Sequence, residues 1–282
     1  MKTKDELIDT LLDLAFAEDI GDGDHTTLST IPADAKGKSK LLIKEEGIVS
    51  GIEMAVKTLH KLDPTIKVEI FRKDGDKVKP GDIVFTAEGS VRSLLIAERT
   101  LLNIMQRMSG VATMTRRYQD ELHGLKTKVL DTRKTTPGMR MPEKQGVKDG
   151  GGENHRIGLY DMILIKDNHI DFAGGLEKAV NSAIEYCKAK GKKLKIEVEA
   201  RSLDDVRKLS EMEGVDRIMF DNFTPELTKE AVKIVDGKKE TESSGGITLE
   251  NLRQYGEAGV DYISVGALTH SVKGLDMSFK AC

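Results

Sequence analysis

The sequence predicts an α/β protein in which a mixed α+β module precedes a (β/α) barrel. Three observations lead there. Six short β-branched or aliphatic segments, KVLDTRK, MILIKDNH, KIEVEAR, RIMFDNF, TESSGG and YISVGAL, alternate with helical stretches from Lys128 onward. With Leu130, Leu164, Glu197, Met219, Glu242 and Ser264 as centres, they recur at steps of 34, 33, 22, 23 and 22 residues. That is the repeat of βα units building a parallel sheet covered by helices. Next, each segment ends in polar or glycine residues: Asp131-Arg133-Lys134, Lys166-Asp167-Asn168, Glu199-Arg201, Asp221-Asn222, Ser243-Ser244-Gly245-Gly246 and Gly266. Barrels of this kind keep their chemistry at those ends. An open doubly wound sheet would place it similarly, so the barrel is the favoured of two arrangements. Finally, 282 residues are too many for one ordinary domain and leave room for the leading module.

That module fills the first ~90 residues. It opens with an amphipathic helix whose Leu7, Ile8, Leu11, Leu12 and Ala15 share one face. Strands follow within KSKLLIKEEGIVSGIE, TIKVEIFRKDGD and GDIVFTAEGS, broken by turn residues. Ser93–Leu122 then carries apolar residues at helical spacing, with Ser109-Gly110 as its weak point. It reads equally as a spine and as a contributor to a site. Farther on, Ser202 with Asp205 resembles a capping box, Thr224-Pro225 puts Pro at a first helical position, and Gly237 and Gly259 stand where carboxyl caps belong.

Composition removes several function classes. Lys+Arg is 44 against Asp+Glu 47, a formal charge of −3, so no overall basic field draws in nucleic acid or an anionic membrane. The absence of Trp and an aromatic share of 4% disfavour base stacking. Apolar runs such as Met162–Ile165 fall far short of the ~20 residues that span a bilayer. Asp5, Glu6, Asp9 and Asp13 interrupt the amino-terminal apolar pattern, a poor signal peptide, so a cytoplasmic location is expected. Cys187 and Cys282 are too few and too far apart for a disulfide framework or a zinc site.

Any anion must therefore be bound locally. Arg133, Lys134, Arg156 and Lys166, with Arg140, Lys144 and Lys148, lie in or beside the first two strand ends and the loop between them. A charge run is ordinarily a solvated face. Here Arg133 and Lys166 stand at strand ends with apolar residues behind them, which suits a multiply anionic ligand held by planar guanidinium forks. Glu197 and Glu199 alternate onto one side of their strand and Asp221 ends the neighbouring one. They read equally as Mg²⁺ ligands and as salt-bridge partners at the barrel mouth. SSGG and VGAL resemble the paired last loops of a barrel that cradle a phosphate with backbone N–H groups, the first leading to a helix near Leu249. The six histidines show no metal-ligand spacing. His155 beside Arg156 is the better acid/base candidate, and Gly150-Gly151-Gly152 permits close backbone approach or loop movement. The expected order is cations at one edge of the mouth, acids in the middle and a phosphate cradle at the other edge, fitting a phosphorylated sugar beside a polycarboxylate. A Schiff-base aldolase using Lys166 and a non-catalytic phosphosugar binder are the rivals from other classes.

The run DTRKTTPGMRMPEKQGVKDGGGENHRIGLYDMILIKDNHI closely resembles the signature of the quinolinate phosphoribosyltransferases, the carboxylating nicotinate-nucleotide diphosphorylases. EDIGDGDHTT, GIVSG, AERTLLNIMQRMSGVAT, EVEARSL, FDNF, SSGGI and VGALTHS extend the likeness over nearly the whole chain. The resemblance implies a type II phosphoribosyltransferase fold. An N-terminal α/β sandwich domain, 1–108 with the returning segment 274–282, stands beside an open (β/α) TIM-like barrel, 109–273. It implies that quinolinate and phosphoribosyl pyrophosphate give nicotinate mononucleotide, CO2 and pyrophosphate with Mg²⁺, in de novo NAD biosynthesis. Homodimers with shared active sites are implied, with dimer or hexamer left open. Arg133, His155, Arg156 and Lys166 would hold the quinolinate carboxylates, with Arg99 reaching over from the partner subunit. Lys134 would contact the sugar pyrophosphate, and Glu199 and Asp221 the ribose hydroxyls and Mg²⁺, through water. Lys134, Glu199 and Asp221 are thus the catalytic set. Ser244, Gly245, Gly246 and Gly266 would bind the 5′-phosphate, and His169 would play a supporting part. Whether Glu197 shares the role of Glu199 stays open.

Overall fold

The computed structural model describes residues 2–282 and divides into two compact units. The first contains the chain up to Arg116, Thr135–Gly151 and Leu268–Cys282; the second contains Arg117–Lys134 and Gly152–Ala267. Sequence reasoning drew one cut after 108 and a return at 274. The structure carries the first unit on to Arg116 and adds a central segment to it.

In the first unit α1 (Lys4–Ile20) starts at Thr3, whose hydroxyl accepts from Glu6 N while Glu6 reaches back to Thr3 N, a capping box. Its apolar face is narrower than expected: Ile8 and Leu12 are buried, while Leu7 and Leu14 are exposed. There follow α2 (His25–Thr30), β1 (Lys36–Ile43), β2 (Gly47–Ile48), α3 (Ile52–Leu62), β3 (Lys67–Ile70), β4 (Lys77–Val78), β5 (Ile83–Ser90) and α4 (Val91–Glu121). The sequence reading lacked α3, whose Ile52, Ala55 and Leu59 join Leu94, Leu101 and Met105 of α4 over Leu41, Ile43 and Phe85 of the sheet.

The Ser109-Gly110 pair does not break α4. Ser109 Oγ accepts from Ser50 N at 2.9 Å and donates to Ser50 O at 3.0 Å. A Cβ on Gly110 would stand 2.3 Å from the Lys273 carbonyl, so the glycine serves close packing. The segment 135–151 behaves alike. It forms α5 (Arg140–Asp149), and a Cβ at Gly146 or Gly150 would meet the Met108 or Ala112 carbonyl at 2.7 and 2.4 Å. Close packing against α4 is thus the role of Gly150. Arg140, Lys144 and Lys148 lie on a helix of the first unit, with Lys144 fully buried, and are not among the residues lining the cavity around Arg133 and Lys166.

The second unit holds β6 (Lys128–Leu130), β7 (Met162–Ile165), β8 (Lys195–Ala200), β9 (Arg217–Asp221), β10 (Glu240–Ser244) and β11 (Tyr262–Ser264). They form one parallel sheet in the order β6-β11-β10-β9-β8-β7. Because β6 bonds to β11 and β7 to β8, the two edge strands have no ladder with one another among the described residues: the barrel is open. Helices α6 (Asp167–Ala173), α7 (Leu176–Lys190), α8 (Leu203–Glu211), α9 (Pro225–Val235), α10 (Leu252–Glu257) and α11 (Ala267–His270) follow the strands. Ser202 accepts from Asp205 N and Thr224 from Leu227 N, each capping its helix. Asp236 in the left-handed region ends α9, with Gly237 following. Ile196, Val198, Ile218, Phe220 and Ile263 are buried. No helix among the described residues is long and apolar enough to cross a membrane.

The polypeptide ends in β12 (Met277–Ala281), which pairs with β1 and completes the antiparallel order β12-β1-β5-β3 of the first unit. Met277 and Phe279 enter that unit's core.

Candidate active site

At the carboxyl ends of the parallel strands, Arg133, Lys134, His155, Arg156, Lys166 and Ser244 line one cavity of about 210 Å³ together with Thr132, Leu164, Met219, Glu242 and Ser264. Short strands followed by polar turns put these side chains there. The residues from Gly152 to Arg156 are drawn to the strand ends by Glu153, whose N–H donates to Val129 O and whose carbonyl accepts from Asp131 N. The buried Asp131 carboxylate then accepts from His155 N at 2.9 Å.

Arg156 is half-buried beside Arg133. Burial, and then the Arg133 charge, pull its guanidinium below the ordinary range. Two guanidinium groups held this way favour an anion with more than one carboxylate. The carboxylates form a second group. Lys166 Nζ pairs with Glu199, which also accepts from Asp167 N at 3.2 Å. Burial, then the Glu199 charge, raise Asp221. Two carboxylates near enough for one charge to act on the other suit a divalent cation, which relieves the repulsion. Lys166 is ion-paired to Glu199 with 44% of its side chain exposed, unlike the desolvated lysine that forms a Schiff base.

After β10 the chain turns through Gly245 at φ 96° and Gly246 at φ 61°. A Cβ on Gly245 would lie 2.2 Å from Asn222 Oδ1, so the loop closes only around glycine. The helix expected near Leu249 begins at Leu252. Asn251 instead ties the loop together, accepting from Thr248 N and donating to Gly246 O. Gly266 follows β11 and precedes α11. His169 Nδ1 accepts from Lys166 N at 2.9 Å, capping α6. Arg99 lies exposed on α4 in the first unit.

The spatial order corrects the expected one. Along the sheet, cations stand at both edges, on β6 and β7, the phosphate loops of β11 and β10 lie next to β6, and the acids of β9 and β8 next to β7. Sequence order cannot reveal this, because β7 closes the row on the side away from β6.

Sequence reasoning also missed a charged cluster inside the barrel. His155 Nε2 lies 3.0 Å from Glu197 and 3.5 Å from Glu242, and Arg217 reaches Glu242 at 3.1 Å with its guanidinium 4.2 Å from the Tyr262 ring centre. Burial pushes Glu197 up to about 7 despite Arg217, and burial followed by the Glu197 charge pushes Glu242 up to about 8. The His and two Glu have the spacing of metal ligands. However, His155 Nδ1 accepts from Arg156 N at 2.7 Å, so the ring proton of the neutral imidazole resides on Nε2 and no lone pair faces the acids. With Arg217 supplying positive charge, this is a buried cluster of acids and bases rather than a set of metal ligands. The signal available beforehand was Glu242 itself, a charged residue midway along a predicted central strand.

Comparison with known proteins decides the family. Residues 24–109 match the quinolinate phosphoribosyl transferase N-terminal domain and residues 111–280 its C-terminal domain. The chain belongs to the quinolinate phosphoribosyltransferase family. Among family members, the chloroplastic nicotinate-nucleotide pyrophosphorylase [carboxylating] of Arabidopsis thaliana is 45% identical over 96% of this chain and 81% of its own length. The probable nicotinate-nucleotide pyrophosphorylase [carboxylating] of Bacillus subtilis is 43% identical over 95% and 91%. The crystal structure of NadC from Streptococcus pyogenes superposes with a TM-score of 0.92 at 38% identity, covering 99% of this chain and 97% of that one. The two-domain fold expected from the family resemblance, an antiparallel sheet domain and an open α/β barrel, is the fold observed.

Proposed function

We propose that the chain transfers the phosphoribosyl group of phosphoribosyl pyrophosphate to quinolinate with decarboxylation, giving nicotinate mononucleotide, CO2 and pyrophosphate in NAD biosynthesis. One observation carries this reading: in a chain of net charge −3, Arg133, Arg156, Lys166 and Lys134 converge on one cavity. A pyridine dicarboxylate matches that clamp, and nicotinate would leave part of it uncompensated.

Each residue then has a task. Arg133, Arg156 and Lys166 hold the carboxylates and point the pyridine nitrogen at ribose C1. Lys134 meets the pyrophosphate, and backbone N–H groups of Ser244-Gly245-Gly246 and Gly266 meet the 5′-phosphate. As the C1–oxygen bond lengthens, Glu199 and Asp221 stabilise the positive charge growing on the ribose. They are also the residues fitted to hold Mg²⁺, which when bound with substrate offsets charge on the departing pyrophosphate. Bond formation at nitrogen makes the ring cationic. The electrons of the C2–carboxylate bond then stay on C2 as CO2 leaves, and C2 takes up a proton. Lys166 must exchange Glu199 for a substrate carboxylate when quinolinate enters. Arg99 of a partner subunit completes the clamp in a homodimer with shared sites.

The test is turnover with phosphoribosyl pyrophosphate and Mg²⁺, offering quinolinate or nicotinate and following CO2. Quinolinate-dependent CO2 and nicotinate mononucleotide are expected; turnover of nicotinate alone would sink the assignment. Borohydride trapping of a carbonyl substrate on Lys166 would support the aldolase, and binding with no product the phosphosugar binder.

A further inference from the structure

His155 links Arg156 to buried groups to which the transfer gives no task. Its backbone N–H donates to Asp131, its Nδ1 accepts from Arg156 N, and its Nε2 faces Glu197. Glu197 is fully buried on β8 and is not among the cavity-lining residues. Glu242 and Arg217 brace it, the latter 3.9 Å away and itself held by Glu240 at 2.9 Å. Glu199, two residues along the same strand, has different partners, Lys166 and Asp167 N.

Resting on the transferase reading of the site, we propose that Glu197 is a positioning residue for the carboxylate clamp. It holds the Nε2–H edge of His155, so that Nδ1 grips the Arg156 backbone and the Arg156 guanidinium is set beside Arg133 in the cavity. An imidazole has two tautomers and can flip about its Cβ–Cγ bond, and a carboxylate facing one nitrogen selects one arrangement. Without it, Nε2–H keeps only the more distant Glu242 at 3.5 Å, and the ring is less firmly held in one orientation. Nδ1 then leaves Arg156 N, and the clamp loosens by the fraction of an ångström that matters for oriented ligands. The open question of Glu197 is answered thereby: it serves the pyridine side of the site, acting through His155, while Glu199 serves the sugar side.

The experiment is steady-state kinetics with both substrates varied, on wild type, Glu197→Leu, Glu197→Gln, His155→Phe and the double variant Glu197→Leu with His155→Phe. Glu197→Leu is expected to raise the quinolinate KM about tenfold and leave that of phosphoribosyl pyrophosphate within about twofold. Glu197→Gln recovers most of the loss, since its amide oxygen can still face Nε2–H. The double variant is no worse than His155→Phe alone, because a residue acting only through His155 has nothing left to position. A rise in the phosphoribosyl pyrophosphate KM would assign Glu197 to the role of Glu199 and overturn the proposal; so would losses that multiply in the double variant, or an unchanged quinolinate KM. Where Glu197→Leu fails to fold, Glu197→Asp replaces it, withdrawing the carboxylate from Nε2 while keeping the charge beside Arg217, and an unchanged quinolinate KM there is equally fatal. Wild type that releases no CO2 from quinolinate defeats the transferase reading instead, a separate outcome.

Discussion

Arg156 shows how a single side chain is prepared for its ligand. Burial and the neighbouring Arg133 charge make the guanidinium pair costly in the free protein, and a dicarboxylate removes that cost on binding. Arg156→Gln should lower kcat/KM for quinolinate about 100-fold, or ~3 kcal/mol, in steady-state assays. Glu242 makes a second prediction. Its carboxyl is raised from 4.5 to about 8 by burial and by Glu197, so the folded chain keeps a proton that the unfolded chain releases. That contribution is complete below the unfolded value and is lost as pH rises through the folded one. Between about pH 5 and about pH 9 the Tm of wild type should therefore fall further than that of Glu242→Gln, as parallel thermal melts will show. Arg133 and Lys166 were legible because each follows an apolar run at a strand end, Arg156 because it stands in the cationic loop between them, and Ser244 because two glycines follow it. Glu242 was not, because a charge inside a barrel becomes intelligible only once Arg217 and His155 are seen around it.

The elements were legible where local chemistry suffices. The six strands each carry their own apolar or β-branched run, and Ser202 and Thr224 cap helices with their own hydroxyls. They were illegible where a distant backbone decides. Gly110 looks like a helix breaker until Lys273 lies against it, and Gly146 and Gly150 look like loop residues until their helix docks on α4. The turn after β10 is the element on which function presses hardest. With φ at 96° and only 2.2 Å of room against Asn222, Gly245→Ala must displace Asn222 or reopen the turn. It is expected to raise the KM for phosphoribosyl pyrophosphate at least about tenfold with a smaller effect on that for quinolinate.

For the molecule as a whole, the charge of −3 is an average over a cationic clamp and a group of buried and half-buried acids. The shared-site homodimer proposed for it makes a countable prediction. Arg99→Ala and Arg133→Ala chains, each inactive alone, should recover about a quarter of wild-type activity after mixing and subunit exchange, since half the dimers are mixed and each has one intact site. Activity that stays absent despite verified exchange would place Arg99 and Arg133 in one subunit's site.

The open seam also governs where the sheet is pliant. Strands β8, β9, β10 and β11 each have a hydrogen-bonded strand on both sides; β6 has β11 on one side and Glu153 and the Gln119 side chain on the other, whereas β7 has β8 alone. Amide hydrogens should accordingly exchange with deuterium fastest along β7, the strand that leads to Lys166, and slowest along β9 and β10. A dicarboxylate gripped by both cations would bridge the gap that no backbone ladder spans. Quinolinate should then slow exchange at β7 more than elsewhere in the sheet, acting as a temporary rung between two edges.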